Sequence, residues 1–137
     1  MTILKDITMS RILFVDNDEA SLILYQEISL MMGIECECFQ KPAELAADLD
    51  NLPPIAAAVI DLEMPHLNGY EVLALLRSLP QFHAIPIVVC TVYSGEIDRA
   101  VQAGFDGFIV KPINLDHFPE QLRAILNGQA IWERHSN

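Results

Sequence analysis

Basic residues are scarce in this sequence: 8 Lys plus Arg stand against 19 Asp plus Glu among 137 residues, a formal net charge of −11. Phosphate backbones are held mainly by Lys and Arg that displace counterions, so this balance argues against direct DNA binding and favours basic protein partners. Long apolar runs are missing too. None approaches the roughly 20 residues of a membrane span, and Met1 to Ser10 lacks the charged-then-apolar pattern of a secretion signal. The expectation is a cytoplasmic protein with no membrane association. Cysteines are few and odd in number, and Cys36, Cys38 and Cys90 lie in apolar, strand-like segments, which argues against a disulfide framework. Cys36-Glu37-Cys38 is too tightly spaced for the usual zinc pair, and no matching His/Cys pair follows, so core thiols are expected. No repeat, low-complexity stretch or linker to an output domain is visible.

What is present is an alternation of apolar runs with stretches of helical period, the signature of a parallel sheet with helices on its faces. Five strand-helix units can be counted. Strands are expected at Arg11 to Val15, Ile34 to Phe39, Ile55 to Ile60, Pro86 to Cys90 and Asp106 to Val110. Helices are expected over Ala20 to Met32, Pro42 to Asp50, from Asn68-Gly69 through Leu79, from Ser94 to Ala103, and within Leu115 to Leu126. Gly33 and Gly104 stand where a helix ends in a left-handed residue. Pro119 deep in the last helix would cost about 3 kcal/mol, so its regular part is expected to begin near Asp116 to Phe118. The size fits one domain over residues 11–127, flanked by tails at 1–10 and 128–137.

In an open parallel sheet, ligands gather at the carboxyl ends of the strands. Asp16-Asn17-Asp18, Asp61, Thr91 and Lys111-Pro112 fall at the ends of strands one, three, four and five. Crowded carboxylates repel one another and invite a cation, and oxygen ligands suit Mg2+ or Mn2+. A lysine and a threonine hydroxyl opposite that ion would complete a site for phosphoryl transfer to a carboxylate, with Asp61 the acceptor. Each residue also has a plainer reading. Asp18 or Glu19 would support the start of the first helix, Thr91 is an ordinary strand end, and Lys111 alone would be a solvated charge.

The sequence closely resembles the receiver domains of two-component response regulators over about Arg11 to Leu126. The likeness is carried by Ile12-Leu13-Phe14-Val15-Asp16, by Val59-Ile60-Asp61-Leu62-Glu63-Met64-Pro65 followed by Asn68-Gly69, and by Val110-Lys111-Pro112. It implies an α/β fold, a doubly wound five-stranded parallel sheet with helices on both faces in the flavodoxin-like order 2-1-3-4-5. It implies phosphorylation of Asp61, a Mg2+ site formed by Asp16, Asp61 and the backbone carbonyl of Glu63, and contact between Lys111 and the phosphoryl group. Thr91 and Phe108 match the residues that reposition on phosphorylation. The implied protein is a stand-alone, chemotaxis-receiver-like response regulator. Its donor would be a sensor histidine kinase or a histidine phosphotransfer protein, and its output a downstream protein target, with the chain a monomer or weak homodimer. It would be no enzyme beyond assisting its own phosphorylation and dephosphorylation.

Four departures from the family pattern stand out. Asn17 occupies a position that usually carries a second acid, and an amide is a poorer Mg2+ ligand. Val92 replaces a small residue and is expected to gate access to the phosphoryl group. Phe108 lacks the hydroxyl of the usual tyrosine, and the stretch from Thr91 to Lys111 is about two residues short by comparison with the family, which bears on partner binding. Glu63, two residues past the acceptor, would tune the lifetime of the phosphorylated form or be surface charge. His66, His83, His117 and His135 have no catalytic or metal spacing. Tyr93 and Trp132 would serve a partner surface or pack on their own domain.

Two further functions compete. One is a pseudo-receiver, a phosphorylation-independent protein-interaction module, for which Asn17 is the main support. The other is a metabolite phosphatase or phosphotransferase, for which Glu63 would be the acid but which would need a cap domain over the site.

Overall fold

The computed structural model describes residues 10–134; the expectations for residues 1–9 and for His135 lie outside them. Five parallel strands are joined in the order 2-1-3-4-5. They are β1 (Arg11–Val15), β2 (Glu35–Phe39), β3 (Ala57–Ile60), β4 (Ile87–Thr91) and β5 (Gly107–Val110). The helices are α1 (Glu19–Met32), α2 (Pro42–Asp48), α3 (Gly69–Arg77), α4 (Ile97–Ala103) and α5 (Phe118–Leu126). Among the described residues no helix is long and apolar enough to cross a membrane.

The period of two along a strand sorts the core into two layers. Leu13, Val15, Ala58, Ile60, Ile87, Val89, Phe108 and Val110 pack with Leu45 of α2, Val72 and Leu76 of α3, and Ile97 and Ala100 of α4. Their strand neighbours Ile12, Phe14, Ala57, Val59, Val88, Cys90 and Ile109 face the other way, onto Leu22, Tyr25 and Ile28 of α1 and Phe118, Leu122 and Ile125 of α5. Strands buried on both faces are what helices on both sides of a parallel sheet require.

Helix ends follow local chemistry. Gly33 ends α1 with φ 72, a conformation that costs glycine little. Asn68 and Glu71 form a reciprocal capping box at the start of α3. Pro119 falls in the first turn of α5, where its missing N–H is harmless. The second and fourth helices are shorter than their sequence periods suggest. A 3-10 turn at Leu49–Asn51 follows α2, and another at Ser94–Glu96 precedes α4.

Two further features differ from the sequence reading. Cys90 is a buried core thiol, but Cys36 and Cys38 are only half-buried because β2 is an edge strand. Arg11 braces that edge by ion pairs to Glu35 and, at 2.9 Å, to Glu37. After α5 the chain turns back along β5: Phe108 N–H donates to Ile131 O at 2.6 Å, and Glu133 N–H donates to Phe108 O at 2.9 Å. Trp132 thereby forms a parallel bridge with Phe108 and covers the other sheet edge.

Candidate functional site

Parity along the strands also assembles the site. Asp16 follows Phe14 on the face that carries α1, and Asp61 follows Val59 on the same face. Lys111 follows Ile109 there as well. Its ammonium lies 2.8 Å from Asp16 Oδ2 and 3.5 Å from Asp61 Oδ2, so one cation bridges two carboxylates. Asp16 is 1% exposed and Asp61 7%. The Lys111–Pro112 peptide beside them is cis.

The two carboxylates are held differently. Asp16 Oδ1 accepts the Asp18 N–H at 2.9 Å, and Oδ2 accepts the Tyr25 hydroxyl at 3.0 Å in addition to Lys111. Among the described residues Asp61 Oδ1 accepts only a long bond from Glu63 N–H, 3.4 Å. Asp61 is therefore the less committed group. Burial raises its carboxyl above the usual aspartate range; Lys111 opposes that shift and the Asp16 charge adds to it. Burial alone would lower Lys111, but its bond to Asp16 and the two carboxylate charges outweigh this and hold it above the usual lysine value.

Gly69 sets the Asp61 backbone from beneath. A Cβ at Gly69 would stand 2.6 Å from Asp61 O and 2.8 Å from Leu62 Cα, closer than real side chains approach. Its N–H donates to Leu62 O at 3.0 Å. The capped start of α3 is thus pressed against the Asp61-Leu62 backbone, which gives Asn68-Gly69 a physical reason.

Thr91 and Phe108 lie on the opposite sheet face, the one covered by α2, α3 and α4. Thr91 is fully buried, and its Oγ1 accepts the Tyr93 N–H at 3.3 Å. Phe108 is also fully buried, its ring packed within the core. Val92 is 60% exposed and lines a depression of about 390 Å³ with Asp18, Ser21, Lys111 and Pro112.

The plainer reading of Asp18 is the one the geometry carries: its side chain caps α1, accepting from Ala20 N–H at 3.3 Å and from Ser21 Oγ at 2.7 Å. The Ser21 bond lowers its carboxyl below the usual range. Asn17 is exposed beside this cap, and its backbone carbonyl accepts from Gln40 Nε2 at 3.1 Å. The Glu63 side chain is exposed, and so are His66 and His117.

Among the described residues no three His, Cys, Asp or Glu side chains gather as a metal cluster. Mg2+ does not need one, since it keeps several waters and takes one or two carboxylates with a phosphate. Asp16 and Asp61, two nearly buried carboxylates sharing one ammonium, fit that ion; with the Glu63 carbonyl they would hold it, and Asn17 would add at most an amide oxygen.

Sequence reasoning missed Tyr25. The available signal was a tyrosine on the apolar stripe of the first helix, because a buried phenol needs a polar partner.

Known proteins share both sequence and fold. The chain is 31% identical over 131 residues to the transcriptional regulatory protein CpxR of Escherichia coli strain K12, covering 94% of this chain and 54% of that one. It is 31% identical over 123 residues to the transcriptional regulatory protein PrrA of Mycobacterium tuberculosis, covering 88% and 51%. The chain thus spans about half the length of these curated relatives. Among solved structures, the chemotaxis response regulator CheY4 of Vibrio cholerae superposes with a TM-score of 0.78 at 22% identity, covering 86% of this chain and 99% of that one. A CheY-like response regulator receiver domain protein from Methanospirillum hungatei superposes with a TM-score of 0.78 at 27% identity, covering 89% and 97%. Residues 12–123 match the response regulator receiver domain family, and the chain belongs to it.

Proposed function

We propose that this protein is a phosphorylation-dependent signalling switch whose acceptor is Asp61. The observation that carries the reading is the bridge from Lys111 to both Asp16 and Asp61 at the ends of β5, β1 and β3. A carboxylate oxygen of Asp61 attacks the phosphorus of a phosphohistidine on a kinase or phosphotransfer partner. A P–O bond forms as the P–N bond breaks, and its electron pair leaves on the imidazole nitrogen. Bound Mg2+ would supply charge neutralisation for the transferring oxygens. Lys111 can follow the new charge, because its ammonium already stands within reach of Asp61.

The chain's own catalysis would be confined to receiving this group and losing it to water. Val92, exposed in the depression it shares with Lys111, would limit access by small donors and by water. Thr91 and Phe108, on adjacent strands with Val89 opposite Phe108 and Thr91 opposite Val110, would carry the change to β5 and its surroundings. The readout would be altered affinity for a downstream protein, in a cytoplasmic setting. The excess of acid, −11 overall, favours a protein target over direct DNA binding.

A second reading is a phosphorylation-independent interaction module of the same fold. Asn17 favours it, since the site has two carboxylates and Lys111 already balances part of their charge. Incubation with beryllium fluoride, with and without Mg2+, separates the two. A Mg2+-dependent change in amide spectra around Thr91 and Phe108 is expected for the switch; identical spectra would leave the interaction module.

A further inference from the structure

Tyr25 projects from the middle of α1 into the layer between α1, α5 and the sheet, and it is 1% exposed. Its ring stacks on Phe14 of β1 at 4.6 Å and on Phe118 of α5 at 5.7 Å. A phenol clamped in this way has little freedom to aim its oxygen elsewhere, and it donates to Asp16 Oδ2 at 3.0 Å.

The two other donors to Asp16 differ from it. Asp18 N–H holds Oδ1 and belongs to the backbone. Lys111 shares Oδ2 but also reaches Asp61, so its charge is divided between two carboxylates. Tyr25 is the side chain whose bond serves Asp16 and not Asp61. With an amide at Asn17, Asp16 is the first strand's one carboxylate beside Asp61, which makes its orientation more consequential for a bound cation.

We propose that Tyr25 is a positioning residue of the metal site: its hydroxyl, held by the Phe14 and Phe118 rings, orients Asp16 as a ligand for a divalent cation. The inference rests on the reading of Asp16 and Asp61 as a Mg2+ and phosphoryl site. Partners that orient a metal ligand typically change affinity by roughly 10–100-fold when removed.

The test uses Mn2+ and Mg2+ affinities of the unphosphorylated protein, by the free Mn2+ resonance and by Mg2+ competition, in wild type, Tyr25→Phe and Ile125→Val. Tyr25→Phe keeps the ring and removes only the donor, and the expected result is metal binding weaker by roughly 10–100-fold. Ile125→Val loosens the same core layer but keeps the hydroxyl and both rings that clamp it, and it should retain wild-type affinity while losing thermal stability. Equal affinities in wild type and Tyr25→Phe would overturn the proposal. So would a loss in both variants that follows their melting temperatures, because that is a packing effect. Wild-type protein that binds no divalent cation and takes no phosphoryl group from an acyl phosphate overturns the proposal together with the reading beneath it. Wild type that is phosphorylated with Mg2+, beside an unaffected Tyr25→Phe, overturns the Tyr25 role alone.

Discussion

Lys111 Nζ lies 2.8 Å from Asp16 Oδ2, and the pair is nearly removed from water, the two side chains being 10% and 1% exposed. Asp61 Oδ2 stands 3.5 Å from the same ammonium. One cation therefore serves two carboxylates before any metal enters, and the balance of charge across the site depends on it.

Replacing Lys111 by Met leaves two buried acids without a counter-charge. Removing one partner of a buried pair costs about 3–5 kcal/mol, and a loss near the lower bound is expected here because the acids can protonate. Urea unfolding in the presence of a chelator measures it. Added Mg2+ should restore part of the stability by binding the folded form; an unchanged midpoint in chelator would contradict the account.

Asp61 gives a pH signature in metal-free protein. Its carboxyl is raised above 3.8 chiefly by burial, so the folded state holds the proton more tightly than the unfolded state. The stability contributed by such an acid is complete below the unfolded value and is lost as pH rises through the folded value. Asp61→Asn has no such loss. Its stability advantage should widen as pH rises across that window and then stay level; a constant difference across the window would rule the explanation out.

Asn17→Asp adds a third carboxylate beside Asp16 and Asp61. Because ligand charge count tunes divalent-ion affinity, Mg2+ binding should tighten on the order of tenfold or more. The same change adds repulsion in chelator, so the metal-free variant should melt lower. Calorimetric titration of the two proteins decides it, and equal affinities would remove Asn17 from the account.

Gly69→Ala pushes a methyl group against the Asp61 and Leu62 backbone, where the nearest atom is 2.6 Å away. Overpacking of this kind costs about 1–3 kcal/mol, and the shift falls on the acceptor itself. Slower phosphorylation by an acyl phosphate should accompany the lowered stability. A variant that is destabilised yet phosphorylated at the parent rate would uncouple Gly69 from Asp61.

Much of this arrangement was legible in the sequence because it is written in local patterns. Apolar runs ending in Asp16, Asp61, Thr91 and Lys111 mark strands, and strand ends on one sheet edge must converge. Pro119 was legible because a proline tolerates only a helix start. Tyr25 was not, since nothing in a helical stripe says which ring faces a carboxylate at a strand end. The cap made by Asp18 was the favoured of two readings, and the bonds from Ala20 N–H and Ser21 Oγ carry it. The return of Ile131 to Glu133 along β5 was also hidden: it depends on an unfilled sheet edge at Phe108, a tertiary fact. The half-exposure of Cys36 and Cys38 follows likewise from the place of β2 at the other edge.

The most direct test of the central claim is intact mass measured after incubation with Mg2+ and a small acyl phosphate, in wild type and Asp61→Asn. The account predicts one added phosphoryl group on wild type, absent without Mg2+, removed by hydroxylamine and absent from Asp61→Asn. No adduct on wild type, or the same adduct on both proteins, would contradict it.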